Sequence, residues 1–305
     1  MRHSTFDITA HDGTKFFAQS WLPDGEPRAL VQIAHGMAEH SARYERFASF
    51  LVERGYGVYA NDHRGHGKTV SDADVGWAGT DGWNGILSDI GALGDHIEKQ
   101  HPGKERCLFA HSMGSFATLG LMLRGADRYH AYVLSGSDEP GGALAVAGKG
   151  IARVERLRQG ARGKSSLINA MSFGSFNDAF KPARTDFDWL SRDAREVDKY
   201  VADPRCGHLM TNQFWVDFID GLVAIGRADW SRMPTARPIF VFSGDSDPVG
   251  KNGKGVRALT ARLRRAGFAR LEEKLWPNGR HEMLNETNRD EVMQSVAGFL
   301  DRALR

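Results

Sequence analysis

Only two cysteines, Cys107 and Cys206, occur in the 305-residue chain, far apart and without a second pair. That count excludes both a disulfide framework and a zinc ribbon. An excess of one charge is missing too. The 40 Lys and Arg nearly balance the 38 Asp and Glu, for a formal charge of +2, which argues against a dedicated nucleic-acid binder. No window approaches the roughly 18 uncharged apolar residues of a membrane-crossing helix. The opening Met1-Arg2-His3-Ser4-Thr5-Phe6-Asp7 holds no apolar stretch of signal-peptide length, so the expected location is the cytoplasm. No internal repeat or low-complexity segment is evident. Glycine, by contrast, is abundant: 35 residues, about 11% against roughly 7% in average usage. Such enrichment suits the tight strand-to-helix turns of α/β enzymes.

The hydrophobic pattern alternates between strand and helix. Phe6 to Trp21 reads as a hairpin about the turn His11-Asp12-Gly13. Leu30–Ala34 and Tyr56–Ala60 read as strands, separated by a helix on which Tyr44, Phe47, Ala48 and Leu51 recur until Gly55 stops it. Ile86, Ile90, Leu93 and Ile97 mark a helix that ends before Pro102. Cys107–Ala110 and Tyr132–Leu134 are strands flanking a helix from Met113 to Leu123. The alternation then lapses from about 138 to 235, where no convincing strand is found. It resumes with the strand Ile239–Phe242, a helix ending at Gly267, the strand Leu271–Trp276 and a last helix carrying Val292, Val296, Phe299 and Leu300. A mostly parallel sheet flanked by helices is implied. The expected domains are a core at 1–137 and 236–305 and an inserted, mainly helical lid at 138–235.

Ala110-His111-Ser112-Met113-Gly114-Ser115 falls between a predicted strand and a predicted helix, the context of a nucleophile elbow. Such a turn lifts a serine hydroxyl above the carboxyl edge of the sheet, at a helix N-terminus that favours negative charge. A serine needs a base, and in this arrangement the chain order is nucleophile, acid, histidine. His130, His208 and His281 follow Ser112. His130 precedes every candidate acid and His208 lies in the insertion, whereas His281 follows the last strand, on the edge that carries Ser112. For the acid, Asp245 and Asp247 compete after the strand at 239–242. Asp247 is preferred because Pro248 constrains the backbone before it, and Asp245 suits a turn. Two backbone N–H groups should form an oxyanion hole: Met113, directly after the nucleophile, and Met37, in the loop His35-Gly36-Met37.

The run His35-Gly36-Met37-Ala38-Glu39-His40-Ser41-Ala42-Arg43-Tyr44, followed by Asn61-Asp62-His63-Arg64-Gly65-His66-Gly67-Lys68, resembles the monoacylglycerol lipase and lysophospholipase branch of the α/β-hydrolase superfamily. The elbow, Gly244–Val249 and Arg280–Asn285 are similar to that branch's nucleophile, acid and histidine loops. Ala110 and Ser115 stand where the branch has glycines. The resemblance covers about 5–137 and 236–305. It implies an α/β-hydrolase fold, a serine ester hydrolase without cofactor, and a helical lid forming an acyl pocket. Lipid-like esters such as monoacylglycerols or lysophospholipids are then the expected substrates, with a broad short-chain carboxylesterase as the alternative. Peptidase, thioesterase and haloperoxidase chemistry occur on the same fold. Dehalogenase and epoxide hydrolase chemistry need an aspartate in place of Ser112. From a different class, a hydrolase-like binding protein without turnover would be expected to have lost a triad member.

Other signals have blander readings. His35, His40, His63 and His66 lack the carboxylate or cysteine partners of a zinc site, so no metal is expected. His40, Glu39 and Arg43 should instead rigidify the oxyanion loop, and Arg64 should brace the loop beneath the elbow. Of the lid's aromatic and methionine residues, most should pack its own core. Met171, Phe173, Phe214 and Phe218 are the candidates for lining an acyl pocket. Lys149, Arg153, Arg156, Arg158, Arg162 and Lys164 against Glu155 alone form either a solvated helix face or a patch for transient contact with a membrane or micelle.

Overall fold

The computed structural model describes residues 1–125 and 128–304, with residues 143 and 144 described through their backbone alone. The hairpin expected at the start forms from β1 (Arg2–Thr9) and β2 (Lys15–Leu22), antiparallel in a register that opposes Arg2 to Leu22 and Thr9 to Lys15. Gly13, at φ +83°, supplies the left-handed turn conformation that a side chain would resist. Beyond it lie β3 (Ala29–Ala34), β4 (Tyr56–Asn61), β5 (Arg106–His111), β6 (Ala131–Ser135), β7 (Ile239–Gly244) and β8 (Leu271–Trp276). They form one eight-stranded sheet in the order β1-β2-β4-β3-β5-β6-β7-β8, parallel from β4 through β8.

The parallel strands are apolar on both faces because helices cover both. Leu108, Ala110, Tyr132, Leu134, Ile239 and Val241 point to one side, while Cys107, Phe109, Val133, Phe240 and Phe242 point to the other. On the first side lie α2 (Gly82–Gln100) and α3 (Met113–Leu123), with Ile86, Ile90 and Leu119 buried; on the second lies α1 (Glu45–Val52), through Phe47 and Leu51. From Met113 to Met122 every residue of α3 is buried, as expected of a helix that is apolar all round.

Between β6 and β7 come α4 (Ala143–Gln159), α5 (Ser166–Phe173), α6 (Ala194–Ala202) and α7 (Asn212–Arg227), with short 3-10 turns and no strand among the described residues. This segment shares a core with the body: Phe218 of α7 packs edge-on against Trp83 of α2 at 5.6 Å and Phe116 of α3 at 6.3 Å. Such burial contributes roughly 1.5–3 kcal/mol per large apolar side chain. Then α8 (Lys254–Ala266) adds Val256, Leu259 and Leu263 to the first side, and α9 (Arg289–Ala303) adds Val292, Val296 and Phe299 to the second. No helix among the described residues is long and apolar enough to cross a membrane.

Arg64 departs from its expected place. Its guanidinium reaches Asp89 on α2 at 2.7 and 2.8 Å and Asp12 of the hairpin turn at 2.6 Å, not the loop beneath the elbow. The fully buried Asp89 requires a counter-charge, and the planar fork satisfies two carboxylates at once.

Close packing beneath the elbow generates a test. A Cβ on Gly114 would sit 2.3 Å from the Ala34 carbonyl oxygen of β3. Gly114→Ala is therefore expected to cost about 1–3 kcal/mol by overpacking, seen as a lower urea midpoint with an unchanged slope.

Candidate active site

Ser112 joins β5 to α3 at φ 49° and ψ −117°, a backbone conformation that non-glycine residues rarely adopt. The turn is held from both sides. Ser112 N–H donates to the Ser135 carbonyl at 2.9 Å, and the Ser112 carbonyl accepts from Ser115 N–H at 2.8 Å. The two departures from glycine are accommodated. Ala110 lies fully buried in the core, and the Ser115 hydroxyl bonds the Ser112 carbonyl at 2.6 Å while meeting Ser137 Oγ at 2.8 Å.

His281 Nδ1 lies 3.0 Å from both oxygens of Asp247, and the two side chains are 3% and 0% exposed. Asp247 also accepts from the Ser243 hydroxyl at 2.6 Å and from Val249 N–H at 2.9 Å. Burial alone would raise the Asp247 carboxyl, but His281 and these donors hold it below the usual carboxylate range. Likewise burial opposes the charged imidazole of His281, yet Asp247, Glu282 and Glu39 outweigh it and raise its pKa above the ordinary value. With Nδ1–H committed to Asp247, Nε2 is left for proton transfer. The other candidate acid, Asp245, accepts from Asn278 N–H at 2.7 Å and so ties its turn to the histidine loop.

The imidazole of His281 packs between two rings, His111 at 4.6 Å and Trp189 at 5.1 Å. Burial, then the neighbouring His281, pushes His111 down to about 4, so it packs as a neutral ring. Gly136 supplies the space: at φ +60°, a Cβ there would come within 2.8 Å of His281 Cε1. Among the described residues no hydrogen bond joins Ser112 to His281, and such bonds commonly tighten only with substrate in place.

The loop after β3 closes over the elbow. A Cβ on Gly36 would lie 3.3 Å from Ser112 Cβ, so the backbone leading to Met37 passes directly beside Ser112. Met113 N–H opens α3, where helical geometry leaves the first amides without an intrahelical partner. Glu39 accepts from Gly36 N–H at 2.6 Å and from the Tyr44 hydroxyl at 2.8 Å. Arg43 joins Glu39 at 2.6 Å and grips Glu282, next to His281, through two bonds of 2.7 and 2.6 Å. A buried ion network thus links the loop after β3 to the loop carrying His281. Beside it a cavity of about 20 Å³, lined in part by His111, Ser135, Glu39 and Glu282, is far too small for an acyl chain. His40 does not join this network; it bonds Asp203 of the insertion at 2.8 Å.

The remaining expectations divide. His35, His63 and His66 form a buried ring cluster with centroids 4.1 and 5.3 Å from His35, and burial drives all three below the ordinary histidine pKa. Phe173 stacks on Trp189 at 6.2 Å and so approaches His281. Phe214 and Phe218 stack on each other at 6.1 Å on one face of α7, with Phe214 also against His66 at 5.9 Å. Met171 is 55% exposed on the outer surface of α5. The basic run is largely neutralised: Lys149 and Arg153 pair with Asp220, Arg158 with Glu155 and Arg162 with Asp74. Sequence alone missed Glu282, Trp189 and His111. Glu282 had a signal, since it adjoins the candidate base; Trp189 had none beyond its aromaticity.

The ion network predicts an asymmetry. Arg43→Met leaves Glu39 and Glu282 buried without a counter-charge, and should cost about 3–5 kcal/mol of stability. Arg43→Lys, which keeps the charge but loses the two-pronged grip, should cost less. Denaturant titration of both variants measures the difference.

The model of the serine aminopeptidase S33 family matches residues 25–288. A monoacylglycerol lipase of Mycolicibacterium smegmatis is 28% identical over 94% of this chain and 93% of that protein. The human monoglyceride lipase is 25% identical over 77% and 71%. Among solved structures, a thermostable carboxyl esterase of Bacillus coagulans in complex with glycerol superposes with a TM-score of 0.90 at 26% identity, covering 99% of both chains. A soluble variant of Saccharomyces cerevisiae monoglyceride lipase reaches 0.72 at 20% identity, a likeness of fold. The chain belongs to the serine aminopeptidase S33 family, and within it is a monoacylglycerol-lipase-like α/β-hydrolase.

Proposed function

We propose that the chain hydrolyses carboxylic esters of lipid type, monoacylglycerols or lysophospholipids, through Ser112, His281 and Asp247. The observation that carries this reading is the buried Asp247–His281 pair beside a strained serine elbow. His281 Nε2 takes the Ser112 hydroxyl proton as Oγ attacks the ester carbonyl, and the N–H groups of Met37 and Met113 hold the oxyanion. The imidazolium returns the proton to the departing alcohol, leaving an acyl-enzyme. Water then attacks with His281 as base, releasing the acid and restoring Ser112. Asp247 stays ionised and fixes the tautomer.

Residues 138–235 act as the lid over this site. Phe173, Phe214 and Phe218 supply the apolar wall for the acyl chain, with Met171 at its outer rim. Val146, Val154, Leu157, Leu167 and Met171, each 45–87% exposed on α4 and α5, suit transient contact with a lipid aggregate. The glycerol bound to the Bacillus coagulans carboxyl esterase supports the lipid reading, being the alcohol half of a monoacylglycerol. That protein's carboxyl esterase activity equally supports the second reading, a broad short-chain carboxylesterase.

Ser112→Ala should lower ester turnover by several orders of magnitude and abolish labelling by a fluorophosphonate probe; retained labelling would refute the nucleophile. A panel of glycerol, lysophospholipid and nitrophenyl esters of rising chain length, below and above micelle formation, separates the two substrate readings.

The imidazole must be neutral to act as base. Because its pKa is raised in the fold, kcat/KM should climb with pH through an apparent pKa above 6.5. In Asp247→Asn, where burial is no longer opposed by the carboxylate, any residual activity should show that limb at lower pH.

A further inference from the structure

Outside the catalytic set, one cluster combines three different ligand chemistries. His40, in the loop that carries the oxyanion donor, faces Asp203 and Cys206 of the insertion, and one ligand atom from each lies within 4.8 Å of the others. Asp203 and Cys206 lie far from His40 in the chain, and the fold brings them to it.

We propose that His40, Asp203 and Cys206 form a binding site for a zinc-like divalent cation, which clamps the insertion to the oxyanion loop. The local backbone suits ligation. Asp203-Pro204-Arg205-Cys206 is a turn closed by a 3.0 Å bond from Cys206 N–H to the Asp203 carbonyl. Pro204 occupies its second position, where proline presets the required φ. Two ligands three residues apart on such a turn repeat the spacing of zinc-binding cysteine pairs. Asp203 Oδ1 is occupied by Arg205 N–H at 2.9 Å, which orients Oδ2 toward His40 Nε2 at 2.8 Å. At zinc bond lengths, ligand atoms of a tetrahedral site stand roughly 3.3–3.8 Å apart. Small side-chain rotations therefore suffice.

Binding has a defined proton balance. Cys206 gives up its thiol proton to solvent as the sulfur–metal bond forms. The His40–Asp203 hydrogen bond breaks, the neutral imidazole carries its proton on Nδ1, and both Nε2 and Oδ2 take the metal. Water fills the fourth position. The charged groups around the site are Asp203 itself, the Arg205 guanidinium of the same turn, whose buried Nη1 has no hydrogen-bond partner, and Arg43, which acts on both Asp203 and Cys206 but is paired with Glu39 and Glu282, two carboxylates that also face Cys206. The consequence is mechanical. Tyr200 Oη–H and Gly207 N–H already donate to the Ala38 carbonyl at 2.9 Å each, so the metal adds a further tie between the 200–207 segment and the loop bearing Met37.

Cobalt reports the thiolate ligand directly. The chelator-treated, reduced full-length chain, titrated with Co²⁺, should develop a near-ultraviolet thiolate-to-cobalt charge-transfer band that stoichiometric Zn²⁺ abolishes. Cys206→Ser should lose the band, and Asp203→Asn should require more Co²⁺ to reach it. Zn²⁺ should raise the melting temperature of the parent chain and leave that of Cys206→Ser, matched to the parent without metal, unchanged. Cys107 is fully buried in β5 and offers no competing thiolate. Absence of the band, its persistence in Cys206→Ser, or equal stabilisation of both chains by Zn²⁺ would each overturn the proposal.

Discussion

A carboxylate with no exposed surface keeps its charge only if something inside the protein replaces water. For Asp247 that replacement is the His281 imidazole, the Ser243 hydroxyl and the Val249 amide. Much of the architecture serves this one pair. The acid turn and the histidine loop cross so closely that a Cβ on Gly244 would lie 1.8 Å from the Gly279 carbonyl oxygen, and Ser246 N–H donates to that same carbonyl at 3.0 Å. Loosening either loop would admit water, lower the mutual stabilisation and free the imidazole to rotate.

The insertion is not a detachable cover over this arrangement. Its Trp189 and Leu190 carbonyls accept from the His281 and Glu282 amides at 3.4 and 2.7 Å. Its Tyr200 ring lies under the Arg43 guanidinium at 4.8 Å, while the Tyr200 hydroxyl donates to the Ala38 carbonyl of the loop after β3. The helical segment therefore touches both the loop that carries His281 and the loop that carries Met37. By contrast, α4 and α5 carry exposed apolar side chains, among them Val154, Leu157 and Leu167, while Ala152 and Ile168 bind them into the core.

Buried charge is distributed by a common rule across the molecule. Asp89 is compensated by Arg64, Glu39 and Glu282 by Arg43, and Glu286 by Arg192. In each case a forked guanidinium serves carboxylates inside or at the rim of the core. These pairs give conformational definition where apolar packing alone would leave loops free to shift.

Periodicity determined most of the frame. The helices carrying Phe47, Ala48 and Leu51, and Ile86, Ile90, Leu93 and Ile97, follow from helical spacing bounded by glycine or proline, because local geometry sets that period. The positions of Ser112, Asp247 and His281 were legible for the same reason: each follows the end of a recognisable strand. Contacts between distant segments carry no such period. Nothing local joins Arg43 to Glu282, Trp189 to His281 or His40 to Asp203, and Arg64 was misplaced because its partners, Asp12 and Asp89, lie on other elements. Only the tertiary structure decided those pairings, since burial, and with it the need for a counter-charge or a packing ring, exists only once the sheet and its helices have closed.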